Sequence, residues 1–207
     1  MGINSCTHTR NKLSKGVDFG NIYVEYKGEL TDNPQSYEIH RQLFSKKTTG
    51  QVAMITRITS KIKLTGHINS SFREIYEYIV TDSLYSFDVS DSTFMAVSMK
   101  DIENLTIDEL TFSSVWLIKN YNSSISDKKP DTMTIAGCFC RKMNEKDYSR
   151  WFFGNIPMAI TKMKNGLVYR ETAVKFVSDT SLNSAMFQQP KGFHQILASK
   201  DKVTDAL

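Results

Sequence analysis

Val52-Ala53-Met54-Ile55-Thr56-Arg57-Ile58-Thr59-Ser60-Lys61-Ile62-Lys63-Leu64 reads as a strand with two unlike faces. Successive side chains of a strand point to opposite sides, so Val52, Met54, Ile58, Ile62 and Leu64 share one face and Arg57, Lys61 and Lys63 the other. One face belongs to a core and the other is basic and solvated. Gly66-His67 then breaks the pattern. Beyond it, Ser71 and Glu74 have the spacing of a capping box, and Phe72, Ile75, Tyr76, Ile79 and Val80 follow the i, i+3, i+4, i+7, i+8 spacing of an apolar helical stripe. The expectation is a strand followed by an amphipathic helix.

Working outward, Ile22 to Tyr26 alternates as a first strand, and Thr31-Asp32-Asn33-Pro34 is a turn. Tyr37 to Phe44 reads as a short helix with Tyr37, His40 and Phe44 near one face. Thr93 to Met99 and Ser114 to Tyr121 read as strands, with a short helix or irregular turn over Asp101 to Leu110. Asn122 to Asp131 is a polar loop. Thr132 to Lys142 is apolar on both faces, as a central, doubly covered strand would be. Asn144 to Phe153 reads as a helix carrying Tyr148, Trp151 and Phe152. Met158 to Lys164 and Leu167 to Val177 flank Asn165-Gly166, the pair that suits a type I′ hairpin turn.

Together these elements predict an α+β fold in a single domain. A mixed, mostly antiparallel sheet of five to six strands is covered by two to three helices. Residues 1–20 are expected as a flexible, basic, acylated arm, 21–180 as the globular core and 181–207 as a polar tail.

Hydrophobic residues make up 40% of the 207 and charged residues 23%, a balance that suits a packed core rather than a disordered chain. No apolar run reaches the roughly eighteen residues of a spanning helix, so membrane contact is expected to be peripheral. The formal net charge of +4 suits an acidic partner without requiring one. Three cysteines, two of them in an apolar strand pattern, suggest a reducing compartment.

Met1-Gly2-Ile3-Asn4-Ser5-Cys6-Thr7 resembles an N-myristoylation signal, with Gly2 as acceptor once Met1 is removed. A single myristoyl chain binds a bilayer only marginally, with K around ~10⁴ M⁻¹. Two supplements lie nearby. Cys6 is placed for a palmitoyl chain, and Arg10, Lys12 and Lys15 can each add about 1 kcal/mol on an anionic leaflet. An ordinary N-terminus that happens to begin Met-Gly is the plainer alternative.

The sequence carries no phosphate-binding glycine loop, no zinc-protease helix motif and no nucleophile elbow. Cys138 and Cys140 share a strand face, but a metal site needs further ligands and the four histidines are scattered singly, so both thiols are read as core residues. No catalytic residue, cofactor or metal is assigned. Arg57, Lys61 and Lys63 on one strand and Lys162, Lys164 and Arg170 near the hairpin tip are candidate contacts for nucleic acid or an acidic surface. Trp151, Phe152 and Phe153 are candidates for self-association, with stacking on single-stranded nucleic acid or plain core packing as the alternatives.

A basic arm, peripheral membrane targeting, no recognisable catalytic motif and a mixed sheet resemble the matrix proteins of rhabdoviruses and related negative-strand RNA viruses. The likeness is carried by residues 50 to 100, where a basic-faced strand runs into Phe72-Arg73, an aromatic helical stripe, and then an aromatic-bearing loop at Tyr85 and Phe87. No P-P-x-Y or P-[ST]-A-P budding motif is present. The resemblance implies a non-enzymatic structural protein on the cytoplasmic face of host membranes and in the virion. Its partners would be anionic lipids, further copies of itself, and viral nucleocapsid or RNA. The alternative is an N-acylated effector enzyme acting on host signalling proteins at the plasma membrane.

Overall fold

In the computed structural model, the stripe from Phe72 to Val80 is not a helix. Its residues belong to β4 (His67–Val80), which runs antiparallel to β3 (Gln51–Leu64) from Leu64↔His67 to Val52↔Ile79. Phe, Tyr, Ile and Val favour a pleated, half-buried surface, and here that preference prevails over helical spacing. The residues of the expected capping box pair across strands instead: Ser71 Oγ meets Ser60 Oγ at 2.7 Å, and Glu74 accepts from Arg57 Nε at 2.6 Å.

The structure describes residues 20–32, 35–64, 67–80, 83–98, 131–145, 148–154, 156–164 and 167–196. The remaining strands are β1 (Ile22–Asp32), β2 (Gln35–Lys46), β5 (Ser83–Asp88), β6 (Thr93–Ser98), β7 (Thr132–Ile135), β8 (Cys138–Glu145), β9 (Tyr148–Phe153), β10 (Ile156–Lys164), β11 (Leu167–Ser178) and β12 (His194–Gln195). They form one twelve-stranded sheet in the order β12-β6-β5-β4-β3-β2-β1-β11-β10-β9-β8-β7. Every described pairing is antiparallel except β12 with β6. The expected α+β architecture is therefore corrected. Among the described residues there is no α-helix, and a single 3-10 turn, Ser184–Phe187, is the only helical feature.

Three further local expectations are corrected. Tyr37 to Phe44 lies in β2, where Ile39, Arg41 and Leu43 alternate inward. Thr132 to Lys142 is a hairpin at one end of the sheet, not a central strand: Ala136 and Gly137, with φ of 48° and 79°, turn the chain between Ile135 and Cys138. Asn144 to Phe153 is the end of β8 and all of β9, not a helix. The strands at Ile22 to Tyr26 and Val52 to Leu64 are found as expected, that expected over Thr93 to Met99 is described as Thr93–Ser98, and Lys164 stands opposite Leu167 across the expected hairpin. The elements expected between 101 and 131 lie outside the described residues, apart from Asp131 itself.

The sheet is rolled. One apolar cluster contains Met95 and Val97 from β6 together with Ile135, Cys138 and Cys140 from β7 and β8, which stand near opposite ends of the strand order. β7 also lies against β11, although three strands separate them. Val24, Leu43 and Met54 stand opposite one another in register on this inner face, as do Val52, Ile79 and Leu84 one step along.

The outer face carries a second cluster of Phe44, Ala53, Tyr78, Phe87 and Phe187. After β11 the chain becomes a strap that crosses this face. It leaves beside β1, where Thr180 N donates to Asn21 O at 3.3 Å, and reaches β6, where Ile196 N donates to Phe94 O at 2.8 Å. Phe187 is buried, and Phe193 packs edge-on against Phe87 at 5.2 Å. Of the segment expected as a polar tail, residues 181–196 thus lie on the sheet.

Candidate functional site

Alternation along β3 and β4 brings Ile55 opposite Tyr76 on the outer face. The strap does not lie flush there. Between it and the sheet runs a groove of about 430 Å³, with Ile55, Glu74, Tyr76 and Val89 on the sheet side and Ala185, Met186, Gln188, Gln189, Pro190 and Phe193 on the strap side. The walls are mostly apolar, and the glutamine amides supply hydrogen-bonding groups. Glu74 is engaged by Arg57 through a 2.6 Å ion pair, so its charge is balanced locally. This volume falls within the range of small-molecule pockets, roughly 300–1,000 Å³.

Tyr76 joins strap to sheet. Its hydroxyl donates to the Met186 carbonyl, and its ring lies 6.0 Å from Phe87. Burial, with a smaller contribution from the neighbouring Tyr78, pushes its ionisation up to about 12. The phenol stays neutral and able to donate throughout the physiological range.

A different set of polar groups lies inside the roll. Arg41, Glu77, Arg150, Lys162 and Glu171 are all buried, as are Tyr26 and Tyr169. Arg41 Nε faces Glu171 Oε1 at 3.5 Å, and Tyr169 donates its hydroxyl to the other oxygen of Glu171. Burial disfavours the Arg41 charge, but Glu171, Tyr169, Glu77 and Tyr26 together outweigh this, and its ionisation is raised. Gly28 makes the room: a Cβ there would stand 2.9 Å from the Arg170 carbonyl and 3.2 Å from the Glu171 side chain. The Arg150 guanidinium lies 5.7 Å from the Phe152 ring centre. Sequence reasoning missed this cluster. The available signal was charge in an apolar parity, as in Ile39-x-Arg41-x-Leu43 and Ile75-x-Glu77-x-Ile79.

The residues singled out from sequence are dispersed. Gly2, Cys6, Arg10, Lys12 and Lys15 lie outside the described residues. Arg57 and Lys61 stand on the outer face beside carboxylates, Lys61 Nζ being 2.5 Å from Glu38. That contact holds the Glu38 carboxyl below its usual range. Lys63 stands on β3 and Lys164 on β10, their side chains outside the description. Lys162 is buried, whereas Arg170 is exposed, 3.4 Å from Glu29. Phe152 is buried. Trp151 and Phe153 are half-buried, with Lys142 Nζ 5.5 Å from the Trp151 ring centre and Phe176 edge-on to Phe153 at 5.5 Å. Cys138 and Cys140 are buried thiols. Among the described residues no three His, Cys, Asp or Glu side chains gather as a metal site, and no helix is long and apolar enough to cross a membrane.

No protein-family model and no curated protein matches the chain. An uncharacterized conserved protein from Thermus thermophilus is similar in structure, with a TM-score of 0.47 and 7% identity, over 86% of this chain and 90% of that one. MucB in complex with MucA(peri) gives a TM-score of 0.39 at 9% identity, over 86% of this chain and 57% of that one. The Pseudomonas aeruginosa MucA/MucB complex gives 0.37 at 11%, over 86% and 59%. Likenesses of this strength carry no argument about function.

Proposed function

We propose that this protein is a non-catalytic binding protein that holds a small amphiphile in the groove between the outer face of the sheet and the strap. The observation that carries the reading is the make-up of the groove: Ile55, Tyr76, Val89, Met186, Pro190 and Phe193 offer an apolar trough, with Gln188 and Gln189 beside it. Such a trough suits an apolar body, and the amides suit an uncharged hydrogen-bonding head. A charged head is disfavoured because the carboxylate of Glu74 is already matched by Arg57. The interior charges, shut off from solvent, serve the fold rather than a substrate.

Attachment at a membrane through Gly2, with help from Cys6, Arg10, Lys12 and Lys15, belongs to the same proposal and would bring the groove close to a source of amphiphiles. It rests on the sequence of the arm. Electrostatic grip on RNA is left out, since Arg57, Lys61 and Arg170 each stand beside an acidic partner.

The test is displacement of an environment-sensitive apolar dye by a long-chain monoacylglycerol. Saturable binding that is lost in Val89→Trp and in Ala185→Trp, both of which place an indole in the groove, is expected. Binding that never saturates, or that both variants retain, would overturn the reading.

A further inference from the structure

β4 is fourteen residues long, yet β5 pairs with only its second half, Ile75 to Val80. Along His67 to Glu74, β3 lies on one side and no described strand on the other. The backbone direction on the open side follows from one bond: Glu74 O accepts from Val89 N at 3.0 Å there. In an antiparallel ladder the N–H and C=O of one residue point the same way, and alternate residues agree. Ile68, Ser70 and Phe72 therefore turn their backbone groups outward to the open edge.

The same residues carry the most exposed large apolar side chains of the described chain, Ile68 at 65% and Phe72 at 60%. Exposed strand edges are usually blunted by lysine, proline or a bulge. His67-Ile68-Asn69-Ser70-Ser71-Phe72 contains no lysine and no proline, and its pairing with β3 is unbroken.

We infer that the open edge of β4 is a self-association surface, on which a second copy of this chain adds its own β4 antiparallel, with Ser70 opposite Ser70. This does not depend on the groove. The occupant follows from the order of side chains, which is self-complementary about Ser70. In that register each Ile68 faces the Phe72 of the other copy, so the axis of symmetry creates two aromatic–aliphatic pairs. The three pairs Ile68–Phe72, Ser70–Ser70 and Phe72–Ile68 all join residues with outward backbone groups, so each can exchange two hydrogen bonds. On the opposite face Asn69 meets Ser71. Two neighbouring registers keep the faces matched: the one centred on Ser71 sets Ile68 against Glu74, a carboxylate already held by Arg57, and the one centred on Asn69 sets Ile68 against Ser70 and Phe72 against the glycine at position 66. Apolar matching selects the Ser70 register.

Cysteine substitution reads the register directly. Residues directly opposite in a hydrogen-bonded pair have Cα atoms about 5.5 Å apart, within disulfide range. In a Cys6→Ser background, Ser70→Cys should crosslink to a covalent dimer upon mild oxidation at least about tenfold faster than Ser71→Cys, whose thiols lie out of line. Sedimentation equilibrium of the unmodified full chain should give a concentration-dependent dimer, and Phe72→Lys should raise its dissociation constant about tenfold or more through loss of both pairs. Circular dichroism checks that Phe72→Lys keeps its sheet. Faster crosslinking of Ser71→Cys would overturn the register. A chain that stays monomeric at every concentration, including one that binds only foreign strands, would overturn self-association itself.

Discussion

Arg41 Nε lies 3.5 Å from Glu171 Oε1 in the middle of the rolled sheet, with both side chains essentially closed to solvent. The two residues come from β2 and β11, which do not touch in the strand order because β1 runs between them. Gly28 of β1 occupies the gap, and its missing side chain is what lets Glu171 fold inward. The backbone of β1 is paired with both neighbours, and the ion pair adds a buried side-chain contact across it.

A buried pair is costly to break on one side only. Arg41→Leu removes the cation that faces Glu171 and Glu77, and should destabilise the protein by about 3–5 kcal/mol. Adding Glu171→Leu should recover much of that loss, because two apolar groups replace two buried charges. Urea unfolding of the two single variants and the double variant measures the coupling. Equal losses that simply add would mean the pair does not act as a unit.

A second prediction concerns alkaline pH. Tyr76 ionises at about 12 in the fold, against 10.0 for an ordinary tyrosine. A value raised by folding means the neutral phenol is favoured by the native state. Its stabilisation is complete below pH 10 and is lost as the pH rises from 10 through 12. The phenolate can no longer donate to the Met186 carbonyl, so the strap should loosen first. Proteolysis of the strap should accelerate above about pH 10 in the wild type. Tyr76→Phe should cut faster already at neutral pH and show a shallower rise.

How far the sequence speaks for this fold can be judged at β3 and β4. Val52 to Leu64 was legible because its alternation is regular and its ends are marked. Phe72 to Val80 was not, because Phe72, Tyr76, Ile79 and Val80 happen to satisfy helical spacing as well. In a sheet covered on both faces, as here by the inner core and the strap, strands lose strict alternation and imitate a helix. Arg41 and Glu77 were hidden by the same ambiguity, since they look anomalous only once their segments are read as strands, whereas Lys162 and Glu171 lie in segments that do read as strands and are placed inside only by the rolling of the sheet. The groove was harder still. It depends on where Met186 and Phe193 come to rest, about a hundred residues from Tyr76 and Val89.

The turn at Ala136 gives a third prediction. Ala136 and Gly137 both have positive φ, as a two-residue type I′ hairpin requires, but alanine is poorly suited to that region. Ala136→Gly should relieve this and stabilise by up to about 1 kcal/mol, partly offset by the greater freedom of glycine in the unfolded chain. Ala136→Asn should do at least as well, since asparagine tolerates the left-handed region at lower entropic cost. Thermal unfolding midpoints of the three proteins decide it. A fall with both substitutions would show that the Ala136 methyl group, which packs against the inner cluster, matters more than backbone strain.

The last prediction follows from the arithmetic of lipid anchors. One myristoyl chain gives a membrane association constant of about 10⁴ M⁻¹, so an arm built on Gly2 alone would exchange freely between membrane and solution. Cys6 acylation would make attachment stable, and Arg10, Lys12 and Lys15 would each contribute about 1 kcal/mol on an anionic leaflet. Expressed in a eukaryotic cell, Gly2→Ala should move the protein almost entirely to the soluble fraction, because palmitoylation requires prior contact with the membrane. Cys6→Ser should leave a weakly bound population that high salt releases, and replacing the three bases by glutamine should remove the salt sensitivity of that population. Flotation of the variants with and without salt measures each step. An unchanged membrane fraction for Gly2→Ala would sink the anchor.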